Sequence, residues 1–138
     1  MADERIIPIR NDDDVVLARS EARDLAKSLG FPSTDLTLLA TAISEIARNI
    51  TTYAGTGEVS LSVERRAGRA GVLVVARDRG PGIADVELAL RDGYTSGHGL
   101  GLGLPGARRL VDEFELDTEP GRGTTVTLLK WAPKDPST

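Results

Sequence analysis

Glu45 and Asn49 stand four residues apart inside a helical run of apolar residues. On a helix that spacing puts their Cβ atoms about 5–6 Å from each other on one face. They flank the stripe that carries Ile46 and Ile50, so they border a cleft rather than fill the core. An amide oxygen such as that of Asn49 suits Mg2+, a hard cation that prefers oxygen ligands and keeps several waters. The Glu45 carboxylate, one turn away, is placed to take a proton from an attacking hydroxyl. Taken alone, the pair reads more commonly as two solvated residues on an exposed helix face.

Asp78-Arg79-Gly80-Pro81-Gly82 follows directly on the apolar run Val72 to Ala76. A carboxylate fixed at a strand end can accept a hydrogen bond from an exocyclic amine, such as that of adenine, and would turn away guanine, which offers an oxygen there. Gly80 and Gly82 permit close backbone approach. As a lone motif the segment is an ordinary turn after a strand. From Gly97 to Gly103 every second residue is glycine, at 97, 99, 101 and 103. The run flows into a helix at about Leu104, and such amides at a helix start bind anions. It lacks the Gly-Lys-Ser/Thr of a Walker A loop. Gly121-Arg122-Gly123-Thr124-Thr125 precedes the last strand, where a Thr hydroxyl can reach a base or Asp78. His98, the single histidine, has no acid nearby in sequence and reads as a loop residue.

The elements that position these residues follow from periodicity. Arg5 to Ile9 is a short strand, placed at an edge because Pro8 cannot donate to a ladder. Asn11 to Asp14 cap a helix whose apolar positions run from Val15 to Leu29, with Gly30 as its stop. Pro32-Ser33 opens a second helix with Leu36, Leu39, Ile43, Ile46, Ala47 and Ile50 on one stripe, ended by Thr51 to Gly57. Val59, Leu61 and Val63 alternate as a half-buried strand, residues 66–71 turn, and Val72 to Ala76 forms a central strand. A short helix is expected over 84–91, and a third major helix over Leu104 to Val111 with Pro105 in its first turn. Two closing strands, Phe114 to Thr118 and Thr124 to Trp131, flank a Pro120-Gly121 turn, and the last residues form a frayed tail. The order β-α-α-β-β-(α)-α-β-β predicts a two-layer α/β (α+β) sandwich and excludes βαβ alternation.

The 138 residues fit one domain, with a core over about 4–131. With 40% hydrophobic and 28% charged residues the composition is that of a globular protein. A net charge of −4 argues against nucleic acid as a partner. The absence of cysteine excludes disulfides, thiolate metal sites and Cys nucleophiles. No apolar run reaches the ~20 residues of a membrane helix, and nothing resembles a signal peptide, so a cytoplasmic location is expected.

Together the motifs resemble the boxes of the GHKL ATPases, which include gyrase, Hsp90, histidine kinases and MutL. Glu45 to Asn49 is similar to the N box, Asp78-x-Gly80-x-Gly82 to the G1 box, Gly101-x-Gly103 to the G2 box, and Gly123-Thr124 to the late Gly-Thr element. The longer stretch from Asp92 to Phe114, with its Leu104-Pro105-Gly106-Ala107-Arg108-Arg109 run, resembles the RsbT-type switch kinases of partner-switching, stressosome-like modules. The resemblance implies a Bergerat fold, a mixed and mostly antiparallel sheet covered on one face by three helices. It implies ATP and Mg2+ as cofactors, with Asn49 holding the ion. Asp78, Gly80, Gly82, Ile83, Gly97, Gly99, Gly101, Gly103, Leu104 and Thr124 would bind ATP, and Glu45 would be the catalytic base toward a serine or threonine. STAS-domain antagonist or scaffold proteins would be the substrates, and a PP2C-type phosphatase a further partner. The alternative is an anti-sigma kinase that sequesters a sigma factor and phosphorylates its STAS antagonist. Arg108 or Arg109 is a further candidate for stabilising developing charge. Related anti-sigma kinases dimerise, but no exposed apolar stripe demands that here.

Overall fold

The structure, a computed structural model, describes residues 4–80 and 103–133. Five strands form one sheet in the order β1-β2-β3-β5-β4. They are β1 (Arg5–Ile9), β2 (Gly57–Arg66), β3 (Arg69–Asp78), β4 (Glu113–Glu119) and β5 (Gly123–Trp131). Every described pairing is antiparallel, which is the antiparallel limit of the mixed sheet expected from the sequence. Three helices, α1 (Asp12–Ser28), α2 (Ser33–Asn49) and α3 (Gly103–Arg109), lie in chain order among them. β3 occupies the centre, as its continuous apolar run requires.

Side-chain alternation divides the sheet. Ile7, Ile9, Val59, Leu61, Val72, Val74, Ala76, Val126 and Leu128 face one core with the apolar stripes of the helices. Leu39, Ile43, Ile46 and Ile50 of the α2 stripe are almost wholly buried in it. Ala18, Ala22 and Ala26 are fully buried on α1, where small side chains let the helix pack closely. The opposite face carries Ser60, Ser62, Glu64 and Thr127, with Arg66 and Arg69 over the Trp131 ring at 5.2 and 5.4 Å. Arginine over an indole is attracted by the ring quadrupole, and here it shields the Trp131 ring from water.

Both sheet edges are blunted. On β1, Pro8 removes a ladder donor. On β4, Glu113, Glu115, Asp117 and Glu119 alternate along the strand and are exposed.

Local chemistry sets the boundaries. Asn11 Oδ1 accepts from Asp14 N–H at 3.0 Å, and the Asp14 carboxylate accepts from Arg10 N–H at 2.9 Å, a reciprocal cap at the start of α1. Phe31 N–H reaches Ala26 O and Gly30 N–H reaches Lys27 O, both at 3.1 Å, closing α1 with a Schellman motif. α2 runs on through a single π-helical turn, Ile50–Ala54, before Gly55 stops it. The sequence pattern gave no sign of that turn. Ala67 and Gly68 both have positive φ, 52° and 80°, so β2 and β3 join in a two-residue hairpin turn. The turn expected over 66–71 is therefore shorter and both strands longer. α3 ends at Arg109, not Val111. Leu110 turns there, its carbonyl taken by Lys130 Nζ at 3.0 Å. The expected helix over 84–91 and the tail at 134–138 lie outside the described residues.

The Asp14 carboxyl is held below the usual carboxylate range, chiefly by hydrogen bonding to the Arg10 guanidinium. A depressed folded pKa adds stability above the ordinary Asp value of about 3.9, lost as pH falls through the lower folded value. Asp14→Asn should therefore melt lower than wild type at neutral pH, and the gap in melting temperature should close below that range. At Gly123, where φ is +96°, an added Cβ would collide with the Asp78 carbonyl. Gly123→Ala should cost about 1–3 kcal/mol in denaturant titration and displace the end of β3.

Candidate nucleotide site

At the end of β3 two of the sequence-predicted residues, Asp78 and Thr124, come together. Asp78 pairs in register with Thr124 on β5, and Thr124 with Thr118 on β4. All three are on the helix-covered side of the sheet, one row beyond Ala76, Val126 and Leu116. A cavity of about 220 Å3 opens here, lined by Asp78, Thr118, Gly123, Thr124 and their neighbours. Thr124 is buried and Asp78 half-buried. Gly80 N–H donates to Asp78 Oδ1 at 2.9 Å, an Asx turn that fixes the carboxylate's direction.

The end of α2 reaches the same place. A Cβ on Gly57 would sit 2.8 Å from Ile50 Cγ2 and 3.2 Å from Asp78 Cβ. A Cβ on Gly80 would sit 2.6 Å from the Ala54 side chain. Ile50, which follows Asn49, thus comes within a few ångströms of Asp78 through the glycine between them. The π-helical turn carries Ala54 on to Gly80. Asn49 is the last residue of α2 and half-buried.

Glu45 opens in another direction. With Val16, Arg19, Arg23, Thr41 and Arg48 it lines a groove of about 580 Å3 between α1 and α2. Arg48 Nη1 donates to Glu45 Oε1 at 3.0 Å. The Glu45 side chain is only 10% exposed, against 49% for Arg48. The carboxylate is therefore largely withdrawn from bulk water yet borders an open groove.

Gly103 begins α3, and the Leu104 side chain is 5% exposed within the shared core. Arg108 and Arg109 are exposed in the last turn of that helix. Gly82, Ile83, Gly97, Gly99 and Gly101 fall outside the described residues, as does His98. Among the described residues no group of three His, Cys, Asp or Glu side chains gathers to hold a metal. Sequence reasoning missed Thr118. Its signal was the hairpin itself, because pairing Glu119 with Gly123 around a three-residue turn puts Thr118 opposite Thr124.

Comparison with known proteins bears on this geometry. Residues 34–135 match the family described as histidine kinase-, DNA gyrase B-, and HSP90-like ATPase. The serine/threonine-protein kinase RsbT of Bacillus subtilis (strain 168) is 43% identical over 131 residues, which is 95% of this chain and 98% of that protein. The solved structure of the RsbU and RsbW domains of Rv1364c from Mycobacterium tuberculosis has a TM-score of 0.62 at 20% identity, covering 96% of this chain and 33% of that one. The mycobacterial sensor histidine kinase MprB has a TM-score of 0.55 at 18% identity, covering 98% of this chain and 100% of its own. At those identities the two structures speak to the fold alone. Five antiparallel strands under three helices and the extent of these matches agree: the chain belongs to the histidine kinase-, DNA gyrase B- and HSP90-like ATPase family, as a serine/threonine-protein kinase of the RsbT type.

Proposed function

We propose that the chain transfers the γ-phosphoryl group of ATP, with Mg2+, to a serine or threonine of a STAS-domain protein in a partner-switching module. The observation that carries this reading is the cavity at which Asp78 and Thr124 meet, with Ile50, the residue after Asn49, close to Asp78 across Gly57. The donor set fits the nucleotide. Asp78 and Thr124 offer oxygens to an exocyclic amine, and Gly123 lets the backbone of β5 lie against Asp78. It also fits the ion. With no acidic trio among the described residues, Mg2+ would rest on the Asn49 amide oxygen, water and the nucleotide's phosphates, as Mg2+ commonly does. Bound there, the ion would supply neutralisation of the charge on the phosphates.

Phosphoryl transfer needs positioning and charge stabilisation more than covalent help. Asp78 orients the base and so sets where the phosphates fall. Glu45 accepts the hydroxyl proton of the incoming side chain, and the open α1–α2 groove beside it admits a polypeptide. The resemblance to RsbT-type kinases extends the reading to a second role, binding a PP2C-type phosphatase once the chain is released from its substrate. The extent of the match to RsbT favours this over the anti-sigma alternative.

The test is incubation with labelled ATP, Mg2+ and candidate STAS-domain proteins. Asn49→Ala should abolish Mg2+-dependent labelling while its melting curve stays near wild type, and wild-type labelling by that variant would overturn the metal assignment. Glu45→Gln should bind ATP as wild type does and lower kcat by about 10²–10⁴-fold, the usual worth of a general base. An unchanged kcat would remove Glu45 from the chemistry.

A further inference from the structure

Beyond Asn49 the helical path changes pitch. Gly55 N–H reaches back to the Ile50 carbonyl at 2.9 Å, closing a π-helical turn that holds one residue more than an α turn would. Ile50, Thr51 and Thr52 are β-branched and favour α-helix weakly. The Thr51 hydroxyl donates to the Arg48 carbonyl at 3.1 Å where the ladder changes. Each end of the turn then meets a glycine beside Asp78. Gly57 is the register partner of Asp78 on β2, and a Cβ on it would lie 2.8 Å from Ile50 Cγ2. Gly80 lies just past Asp78 in the chain, and a Cβ on it would lie 2.6 Å from Ala54 Cβ and 2.8 Å from Ala54 Cα. Ile50 and Ala54 thus fill the places that side chains at 57 and 80 would take, one across the ladder and one along the chain. Gly80 N–H in turn holds Asp78 Oδ1 at 2.9 Å.

We propose that the π-helical turn is a spacer that sets the Asp78 carboxylate relative to Asn49, and that Ala54 is its positioning residue, acting through Gly80. Ile50 is 2% exposed and anchors the near end of the turn in the core. With that end fixed, the extra residue decides which side chain comes round to Gly80. A turn of α spacing would bring a different one, and the contact with Gly80 would be lost. The size of the side chain at 54 then sets how closely Gly80 approaches, and with it the direction of the hydrogen bond that orients Asp78. A methyl fits, whereas a branched side chain at 54 would press on the Gly80 backbone. This inference rests on the nucleotide reading above and assigns what holds its two ends in relation.

The experiment is calorimetric titration of the full chain with MgATP, reading Kd and stoichiometry separately, with a melting curve for each variant. Ala54→Ser, the smallest enlargement, should keep the wild-type Kd. Ala54→Val and Ala54→Leu should raise Kd about tenfold, one hydrogen bond's worth, at unchanged stoichiometry. A variant that is merely destabilised would lose stoichiometry and keep its Kd. Deleting Thr52, which returns the turn to α spacing, should raise Kd at least as much as Ala54→Val does. If the deletion variant does not fold, the Ala54 series carries the test. Thr52→Val places a branched side chain on the exposed side of the same turn and should bind as wild type does. Wild-type Kd in folded Ala54→Val and Ala54→Leu overturns the proposal, and so does an equal weakening by Thr52→Val. A wild-type chain that binds no MgATP would instead overturn the reading of the site.

Discussion

The structure depends on how closely β5 can lie against the end of β3. At Gly123 the two backbones approach so tightly that no side chain fits, and its φ of +96° lets the chain enter β5 at that distance. The approach puts Thr124 opposite Asp78 and draws in the β4 hairpin with Thr118. The row of Asp78, Thr124 and Thr118 is therefore the last rung of the same ladder that packs Val74 and Val126 in the core. Candidate site and core share one register, and a slip of one residue would turn the whole row to the other face.

Two openings lie near α2. Its C-terminal end comes close to Asp78 through Ile50 across Gly57, and the π-helical turn brings Ala54 to Gly80. One turn earlier the helix presents Glu45 to the groove shared with α1. The buried stripe of Leu39, Ile43, Ile46 and Ile50 holds both positions rigid, since each of these side chains is at most 2% exposed. A single well-packed helix thus fixes the separation between Glu45 and Asn49, and fixed separations of that kind are what phosphoryl transfer asks of a protein.

Much of this was legible in the sequence because periodicity and caps agreed. Pro8 announced an edge, Asn11 with Asp14 announced a helix start, and the run Val72 to Ala76 announced the central strand. Glu45, Asn49 and Asp78 stood out as candidates by spacing and by what precedes them. What escaped were features set by tertiary fit. The π-helical turn at Ile50–Ala54 looks like ordinary helix in composition, and only the packing of Ala54 against Gly80 makes the extra residue useful. Ala67 at φ 52° is a conformation that few non-glycine residues adopt, so the tight hairpin there had no strong turn signal. Thr118 carries no motif. Its meaning appears once the register pairs it with Thr124.

The blunted margins of the sheet limit how other molecules can recognise this chain. Pro8 interrupts one margin and four exposed carboxylates guard the other. Backbone-to-backbone docking, the most permissive form of protein recognition, is disfavoured at both. Among the described residues, that leaves side chains on the helical layer and on the arginine-covered reverse as the surfaces another molecule can read, and single substitutions can retune such surface chemistry. The same arrangement guards the chain against runaway β-polymerisation.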